Sequence, residues 1–280
     1  MKWQRGYQSS NVEDRRGARG GRLPGGRLGL GGIVVLLILS IVFKRDFLSL
    51  AGGLADDPTM VTAGSDPASS PAEDSTKQFI SFVLDDAQQT WATIFAGSDA
   101  QYTDARLVLF RDGVQSACGF AQSATGPFYC PGDAQVYIDL GFYDELRDRF
   151  GAPGDFAQAY VLAHEIGHHV QRLIGTEAEI RGAQQRDPSR ANAYSVALEL
   201  QADCYAGIWA SSAQARGLLE AGDIDEGLAA AAAVGDDRIQ RMGGGYVNPD
   251  AFTHGSAAQR TAWFRRGFES GNPSRCAIDR

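Results

Sequence analysis

The chain has few cysteines: its 280 residues contain four. No two of them have the CxxC spacing of a structural zinc site or a thioredoxin-like redox pair, so neither of these is predicted. An even number favours disulfides in an oxidising compartment. The sequence allows three pairings, of which we favour Cys118 with Cys130 across a short loop and Cys204 with Cys276. Buried free thiols in a cytosolic protein are the alternative.

Aliphatic residues are almost absent from residues 1–27, which are therefore predicted to form a disordered tail. This basic segment holds seven Arg or Lys residues against Glu13 and Asp14, whereas the whole chain has a net charge of −8. Its RGARGGR run permits an RNA-binding interpretation. We do not favour nucleic acid as a partner, because a charged flank beside an apolar segment explains the arginines without a ligand.

Long hydrophobic runs are scarce too, and the longest that lacks charge is LGLGGIVVLLILSIVF from Leu28 to Phe43. Together with Lys44 and Arg45 it predicts a single transmembrane helix over 28–45, since its helical length of about 24 Å comes close to the roughly 30 Å of a bilayer core. The basic flank places the N-terminus in the cytoplasm and the rest of the chain outside it. A cleaved signal peptide is the alternative. Residues 46–76, rich in Ser, Pro, Ala and Asp, are predicted to be a flexible linker before a domain at 77–280.

Histidines are also scarce, yet three of the four lie in DFAQAYVLAHEIGHHVQRLIG. On a helix, His164 and His168 stand one turn apart and can reach one metal ion, with Glu165 beside them, whereas His169 points elsewhere. This helix is predicted over 156–174. Asp155 and Gln158 form its capping box, and Gly175 ends it.

A second pair of side chains, Glu199 and Asp203, lies four residues apart in SVALELQADCYAGIWA. Catalytic zinc sites commonly use two histidines, a glutamate and an open position for water, so Glu199 is the predicted third ligand. Asp203 is then placed to accept a hydrogen bond from a zinc histidine and to fix its orientation. The alternative is that both acids face solvent on an amphipathic helix.

These motifs carry a resemblance to known proteins. HEIGHH followed by ELQAD resembles the gluzincin class of metallopeptidases, and SACGFAQSATGPFYCPGDAQVYIDL with FTHGSAAQR resembles the neutral zinc metallopeptidase family of bacteria. The resemblance covers residues from about 77 to the C-terminus. It implies a protease tethered to the bacterial cytoplasmic membrane that acts on proteins or peptides with one Zn²⁺ per chain. The metzincin pattern is excluded, because Gln171 and Ile174 stand where it requires Gly and His.

The implied fold is α+β, a mainly helical zincin-like domain with a small β-sheet. Residues 78–95 predict a helix, residues 105–110 and 136–139 predict strands, and GFYDELRDRFG predicts a second helix. Strand 136–139 is the candidate for a sheet edge that pairs with an extended substrate, and an interior strand is the alternative. Residues 176–194 are predicted to form a loop over the cleft.

The motifs predict metal-assisted amide hydrolysis with Glu165 as the general base. The negative charge that develops on the substrate's carbonyl oxygen needs a further hydrogen-bond donor. His254 is the first candidate for this donor, and Tyr246 is the weaker one. His254 as a structural residue is the alternative. A non-catalytic module braced by zinc is the competing function, although a structural site has no use for Glu165.

Overall fold

The structure is a computed structural model that describes residues 1–17, 70–98 and 100–278. Met1–Arg16 and Ser69–Arg280 belong to one compact unit, and the second unit, Gly17–Ala68, lies outside the described residues apart from Gly17. The predicted anchor at 28–45 and most of the predicted linker at 46–76 therefore lie outside the described part of the chain. Among the residues that the structure does describe, none forms a helix both long and apolar enough to cross a membrane.

Helices make up most of the described chain, as predicted for an α+β fold. In chain order they are α1 Pro71–Phe95, α2 Gly141–Asp148, α3 Asp155–Leu173, α4 Thr176–Arg186, α5 Ala191–Ala215, α6 Asp223–Ala233, α7 Asp236–Met242 and α8 Ala257–Ser270. The HExxH motif lies on α3, and Glu199 and Asp203 lie on α5. Helix α5 packs against both α3 and α8.

A four-stranded sheet lies beside the helices. Its order is β1 (Val12–Asp14), β2 (Arg106–Phe110), β6 (Gln135–Asp139) and β5 (Phe128–Cys130). Strands β1, β2 and β6 are parallel, and β5 runs antiparallel to β6 at the edge. A separate hairpin consists of β3 (Gly113–Ser116) and β4 (Gly119–Gln122).

The two faces of the sheet bury different clusters, because successive side chains of a strand point to opposite sides. Leu107 and Leu109 of β2 belong to the main core together with residues of α1 and α3. Val108 and Phe110 belong to a smaller cluster that includes Val114 of the hairpin. The main core therefore joins α3 to the sheet.

Both predicted cysteine pairs form disulfides. Cys118, beside the hairpin, is bonded to Cys130 of β5, and Cys204 of α5 is bonded to Cys276 near the C-terminus. All four cysteines of the chain are paired, so none is a free thiol.

The structure corrects several predicted elements. Helix α1 begins at Pro71 rather than near residue 78, because Ser70 and Glu73 form a capping box inside the predicted linker. The predicted loop at 176–194 contains helix α4 and the start of α5. Strand β6 is interior, between β2 and β5, so the prediction that residues 136–139 form the sheet edge is wrong.

The start of the motif helix also differs from the prediction. Gly154, not Asp155, is the N-cap residue, and it has no side chain with which to cap the helix. The carboxylate of Glu226 accepts a hydrogen bond from the Phe156 amide at 3.1 Å instead. The end is as predicted, since Gly175 follows the helix with a left-handed φ of 80°.

Residues 1–16, hereafter the N-terminal arm, are folded against the domain. Val12 pairs with Leu107 in the sheet, the Trp3 ring centroid lies 5.6 Å from that of Phe79, and the Arg16 guanidinium lies 3.1 Å from Asp74. The prediction of a disordered tail over 1–27 is therefore wrong for the arm. The composition of a segment indicates whether it can fold alone, but these residues dock on a core that the rest of the chain provides.

This docking also bears on topology. Adjacent strands of one sheet cannot be separated by a bilayer, so the N-terminal arm and residues 70–278 lie on the same side of any membrane. The predicted arrangement, with a cytoplasmic N-terminus and a domain outside the cytoplasm, does not fit this sheet.

Candidate metal centre

The two motif histidines lie on one face of α3. Their ring centroids are 4.8 Å apart and their planes are perpendicular. His164 is buried and His168 is half-buried. The predicted arrangement of two imidazoles one turn apart is therefore present, and it faces α5.

Gly167, between the histidines, lets α5 lie directly against α3. A Cβ atom at this position would lie 2.9 Å from the carbonyl oxygen of Ala202 and 3.0 Å from its Cα atom. Such distances leave no room for a side chain. Because Ala202 stands between Glu199 and Asp203 in the chain, this close approach brings both acids to the histidines.

Glu199 bridges the two imidazole rings. Its Oε2 atom lies 3.2 Å from Nε2 of His164, and its Oε1 atom lies 3.4 Å from Nε2 of His168. The candidate ligand atoms of the three residues all lie within 4.8 Å of one another. Two imidazole nitrogens and one carboxylate form a donor set that suits zinc and leaves a coordination position open.

The charges of this cluster are strongly coupled. Burial alone would lower the pKa of His164, but the charge of Asp203 and its hydrogen bond, with one to Glu199, raise it to about 10. Burial would raise the pKa of Glu199, but the charges and hydrogen bonds of His168 and His164 hold it well below its ordinary value. The cluster is therefore arranged to hold positive charge between the imidazoles and the carboxylate.

Asp203 lies behind His164, on the side away from Glu199. Its Oδ1 atom is 2.8 Å from Nδ1 of His164, and the Tyr160 hydroxyl donates to the same oxygen. Arg260 of α8 donates to both carboxylate oxygens at 2.8 and 2.9 Å. Asp203 is fully buried, so these partners fix both its charge and the orientation of His164.

His168 is oriented by a different partner. Its Nδ1 atom lies 2.9 Å from Oε1 of Gln171, whose amide nitrogen donates to the Leu198 carbonyl oxygen at 2.7 Å. Each imidazole thus keeps Nε2 toward Glu199 and has Nδ1 held from behind. The roles of Arg260, Gln171 and Tyr160 were missed from the sequence, although Arg260 ends the FTHGSAAQR motif.

Glu165 borders a cleft of about 730 Å³ that the two histidines and Glu199 also line. Its residue exposure is only 7%. Among the described residues, no hydrogen bond to its carboxylate is present, so the group is free to interact with a molecule in the cleft. This is the position that the sequence predicts for a general base.

The two predicted oxyanion donors lie in different environments. His254 lines the same cleft. Its backbone amide donates to Oδ2 of Asp236 at 2.7 Å, and its Nδ1 atom lies 3.1 Å from Oδ1 of the same residue. Tyr246 is 93% exposed and does not line the cleft. The structure thus brings His254, but not Tyr246, to the site.

His169 is engaged away from the cluster. Its Nδ1 atom lies 2.9 Å from the Tyr129 hydroxyl of β5, and its Nε2 atom lies 2.6 Å from the Thr103 carbonyl oxygen. Both ring nitrogens therefore connect α3 to the sheet side of the molecule.

The edge strand β5 borders the cleft. Phe128 and Tyr129 of this strand line it, together with Phe142 and Phe150. Since β5 pairs only with β6 among the strands of the described residues, its other side is the free edge there. The cleft therefore places a strand edge and several aromatic rings beside the cluster of His164, His168 and Glu199.

Comparison with known proteins agrees with a donor set that suits zinc. A family profile described as "Putative neutral zinc metallopeptidase" matches residues 1–278. "Uncharacterized protein YpfJ" of Escherichia coli K12 is 46% identical over 285 residues, which cover 99% of this chain and 98% of that protein. "Uncharacterized protein Mb2605" of Mycobacterium bovis is 45% identical over 197 residues, which cover 66% of this chain and 64% of that protein. No solved structure matches.

Proposed function

The chain belongs to the neutral zinc metallopeptidase family, and from this premise we propose that it hydrolyses peptide bonds at one zinc ion held by His164, His168 and Glu199. One observation carries the proposal. The three donor groups converge across two helices, while the Glu165 carboxylate beside them has no hydrogen bond within the described residues and reaches the cleft. A site that only braces a fold has no need of a free carboxylate there.

The zinc ion would lower the pKa of a water molecule and polarise the substrate carbonyl group. Glu165 accepts a proton from the attacking water and returns it to the leaving nitrogen. Asp203 and Gln171 hold the two imidazoles in place, so the rings need no reorientation during the reaction. The side chains of this chain therefore provide proton transfer and positioning.

His254 is our candidate for stabilising the charge that develops on the carbonyl oxygen. Its Nδ1 atom donates to Asp236, so Nε2 faces the cleft and donates there when the ring carries both protons. The histidine is half exposed on the cleft wall, where a bound substrate would cover it.

The cleft favours an extended peptide as substrate. A peptide backbone can pair with the free edge of β5, because an edge strand offers unpaired N–H and C=O groups. The rings of Phe128, Phe142 and Phe150 offer contact area for a large apolar side chain.

For location, we propose an oxidising compartment outside the cytoplasm, with residues 28–45 as the membrane attachment. The two disulfides and the absence of any free cysteine support the compartment. The apolar run supports the attachment. Because the N-terminal arm lies on the same side as the domain, we propose that the apolar run attaches the protein from that side, in place of the predicted single span.

The test is hydrolysis of an unfolded protein, such as labelled casein, by the purified full chain loaded with zinc. Metal content is measured in parallel, and cleavage sites are identified by mass spectrometry. About one zinc per chain with cleavage beside large apolar residues is the expected result. Stoichiometric zinc without any hydrolysis, in the presence of a range of unfolded substrates, would favour the non-catalytic module instead.

A further inference from the structure

A groove of about 540 Å³ lies along α8 and shares no lining residue with the cleft at the metal centre. Arg265 and Arg266 of α8 line it, together with Arg275 of the short 3₁₀ helix Pro273–Cys276. Glu269 is the only acidic residue among the lining residues. Three positive charges and one negative charge therefore border the groove.

The fold brings these arginines together where α8 ends. Gly271 ends the helix in the left-handed conformation, with a φ of 55°, and the chain turns back there. The 3₁₀ helix Pro273–Cys276 then packs against both α8 and α5. Because Cys276 forms a disulfide with Cys204 of α5, the residue directly after Arg275 is fixed covalently. The backbone that carries the three arginines is therefore held in place.

The three guanidinium groups have no partner within the protein. Among the described residues, none of them forms an ion pair or a side-chain hydrogen bond. Glu269 follows Arg265 by four residues, the spacing of a helical ion pair, yet no such pair forms. The guanidinium carbon of Arg266 lies 4.3 Å from the centre of the Trp263 ring, a contact that leaves its N–H groups free. Unpaired charges of one sign repel one another, so an anion in the groove would stabilise them.

The charge of the groove differs from that of the chain. The whole chain has a net charge of −8, whereas positive charges are in excess at the groove. A local excess of positive charge attracts anions even on an acidic protein. Guanidinium groups bind phosphate through pairs of parallel hydrogen bonds, which a single ammonium group cannot form. The groove therefore suits a ligand that carries phosphate groups.

Two features favour phosphate groups at a membrane surface over a phosphate ion in solution. Arg265, Arg266 and Arg275 are all exposed, so a small ion bound to them would be only partly enclosed. A bilayer presents many phosphate groups together, and the weak contacts of single basic residues add up on it. Trp263, beside Arg266, is half-buried and is of a residue type that favours the boundary between bilayer and water.

We propose that Arg265, Arg266 and Arg275 form a docking site for the phosphate groups of anionic lipids. The site adds an electrostatic contact to the membrane attachment proposed for residues 28–45, since stable attachment commonly combines an apolar anchor with basic residues. The inference rests on that proposed attachment and not on the proposed peptidase activity.

The test follows the reactivity of individual arginines in the full chain. The chain is added to preformed vesicles of phosphatidylcholine, with or without phosphatidylglycerol, and is treated briefly with phenylglyoxal, which modifies free guanidinium groups. Mass spectrometry gives the modification rate of each arginine. The internal controls are exposed arginines outside the groove, namely Arg147, Arg186 and Arg241.

The three arginines of the groove should be modified at least about tenfold more slowly on the vesicles with phosphatidylglycerol, since each basic residue near an anionic surface contributes about a fivefold preference for it. Salt at about 0.5 M should remove most of this difference, because it screens the charges. The three control arginines should keep the same rate on both kinds of vesicle.

Two triple variants separate the groove from the net charge. The groove variant carries Arg265→Gln, Arg266→Gln and Arg275→Gln, and the control variant carries Arg147→Gln, Arg186→Gln and Arg241→Gln. Docking is followed in both by hydrogen exchange at the backbone amide of residue 275, which donates to the Asn272 carbonyl oxygen at 3.0 Å. Phosphatidylglycerol should slow this exchange in the wild-type chain and in the control variant, but not in the groove variant. Thermal unfolding checks that both variants are folded.

Equal modification rates on both kinds of vesicle, or an equal effect of phosphatidylglycerol on the two variants, would overturn the proposal. Protection by inorganic phosphate as strong as that by the vesicles would also overturn it, because the groove would then bind a soluble anion. A chain that binds only anionic vesicles, and loses this binding in the groove variant, would support the docking site and contradict attachment through residues 28–45.

Discussion

Helix α3 carries a charged cluster at its middle and another at its start, and the two are built in different ways. At the middle, His164 and His168 meet Glu199 and Asp203, two pairs with a four-residue spacing on two helices. At the start, Asp155 meets Asp223 and the ammonium group of Met1, which are far apart in the sequence. The spacing of residues along each helix therefore accounts for the middle cluster, whereas the cluster at the start forms only because the tertiary fold brings remote residues together.

The two clusters also balance charge differently. In the middle cluster, the Arg260 guanidinium donates to both carboxylate oxygens of Asp203. The side of this cluster that carries Glu199 faces the cleft. In the cluster at the start, the Met1 side chain is buried, whereas Glu220 is half exposed. The middle cluster therefore opens on the cleft, and the cluster at the start pairs groups of the chain with one another.

The largest expected effect lies in the middle cluster. Glu165→Gln should reduce hydrolysis by about 10²–10⁴-fold, because the amide keeps the shape of the side chain but cannot accept a proton from water. Zinc content and thermal stability should stay unchanged. The control is Glu145→Gln, which changes another glutamate that lines the cleft. Undiminished turnover by Glu165→Gln would exclude this residue as the base.

The next change separates the two acids of α5. Glu199→Ala should nearly abolish zinc retention, since it removes a direct ligand, whereas Asp203→Asn should weaken zinc binding or activity by about 10–100-fold. Zinc affinities of the purified variants give the ranking. The reverse ranking would mean that the third ligand is misassigned.

The same two variants should rank in the opposite order for the stability of the metal-free protein. Asp203→Asn leaves the buried guanidinium of Arg260 without its charged partner, which typically costs about 3–5 kcal/mol. Glu199 faces imidazoles that can lose their charge, so its removal should cost less. Denaturant unfolding of the zinc-free proteins measures this difference.

A smaller effect is expected from Gly167→Ala, which tests the contact between α3 and α5. The added methyl group would meet the Ala202 backbone, and such overpacking typically costs about 1–3 kcal/mol. Zinc affinity should fall with the stability, because Glu199 would move away from the histidines. Gly182→Ala in α4 is the matched control: its methyl group meets only the end of the Arg186 side chain, so this variant should be neutral or slightly stabilised.

The sequence predicted the middle cluster because helical periodicity places residues four apart on one face. It did not predict Arg260 as the partner of Asp203, since the packing of α8 on α5 is not encoded in any local spacing. The start of α3 was predicted wrongly for the same reason. Asp155 has the composition of an N-cap, but the cap is Gly154, supported by Glu226 from another helix.

The N-terminal arm gives the clearest case of this limit. Its basic composition predicts disorder, and the arm cannot bury a core of its own. Trp3 and Val12 nevertheless dock on α1 and β2. Composition describes what a segment can do alone, and the outcome here depends on surfaces formed by residues that follow much later.

The smallest expected effect is a pH dependence that belongs to the start of α3 alone. Burial by itself lowers the pKa of the Met1 ammonium, but hydrogen bonds to Asp155 and Glu220, with the charges of Asp155 and Asp223, raise it above its ordinary value. A raised pKa in the folded state means that the stabilisation is fully present below the unfolded-state pKa of about 8 and is lost as pH rises through the folded value. The free energy of unfolding of the chain with a free Met1 amine should therefore fall above about pH 8 by roughly 0.3–1 kcal/mol more than that of the Nα-acetylated chain, as for other charges near helix termini. Denaturant unfolding of both forms between neutral and alkaline pH measures the difference, and parallel curves would mean that the ammonium group contributes nothing to this helix start.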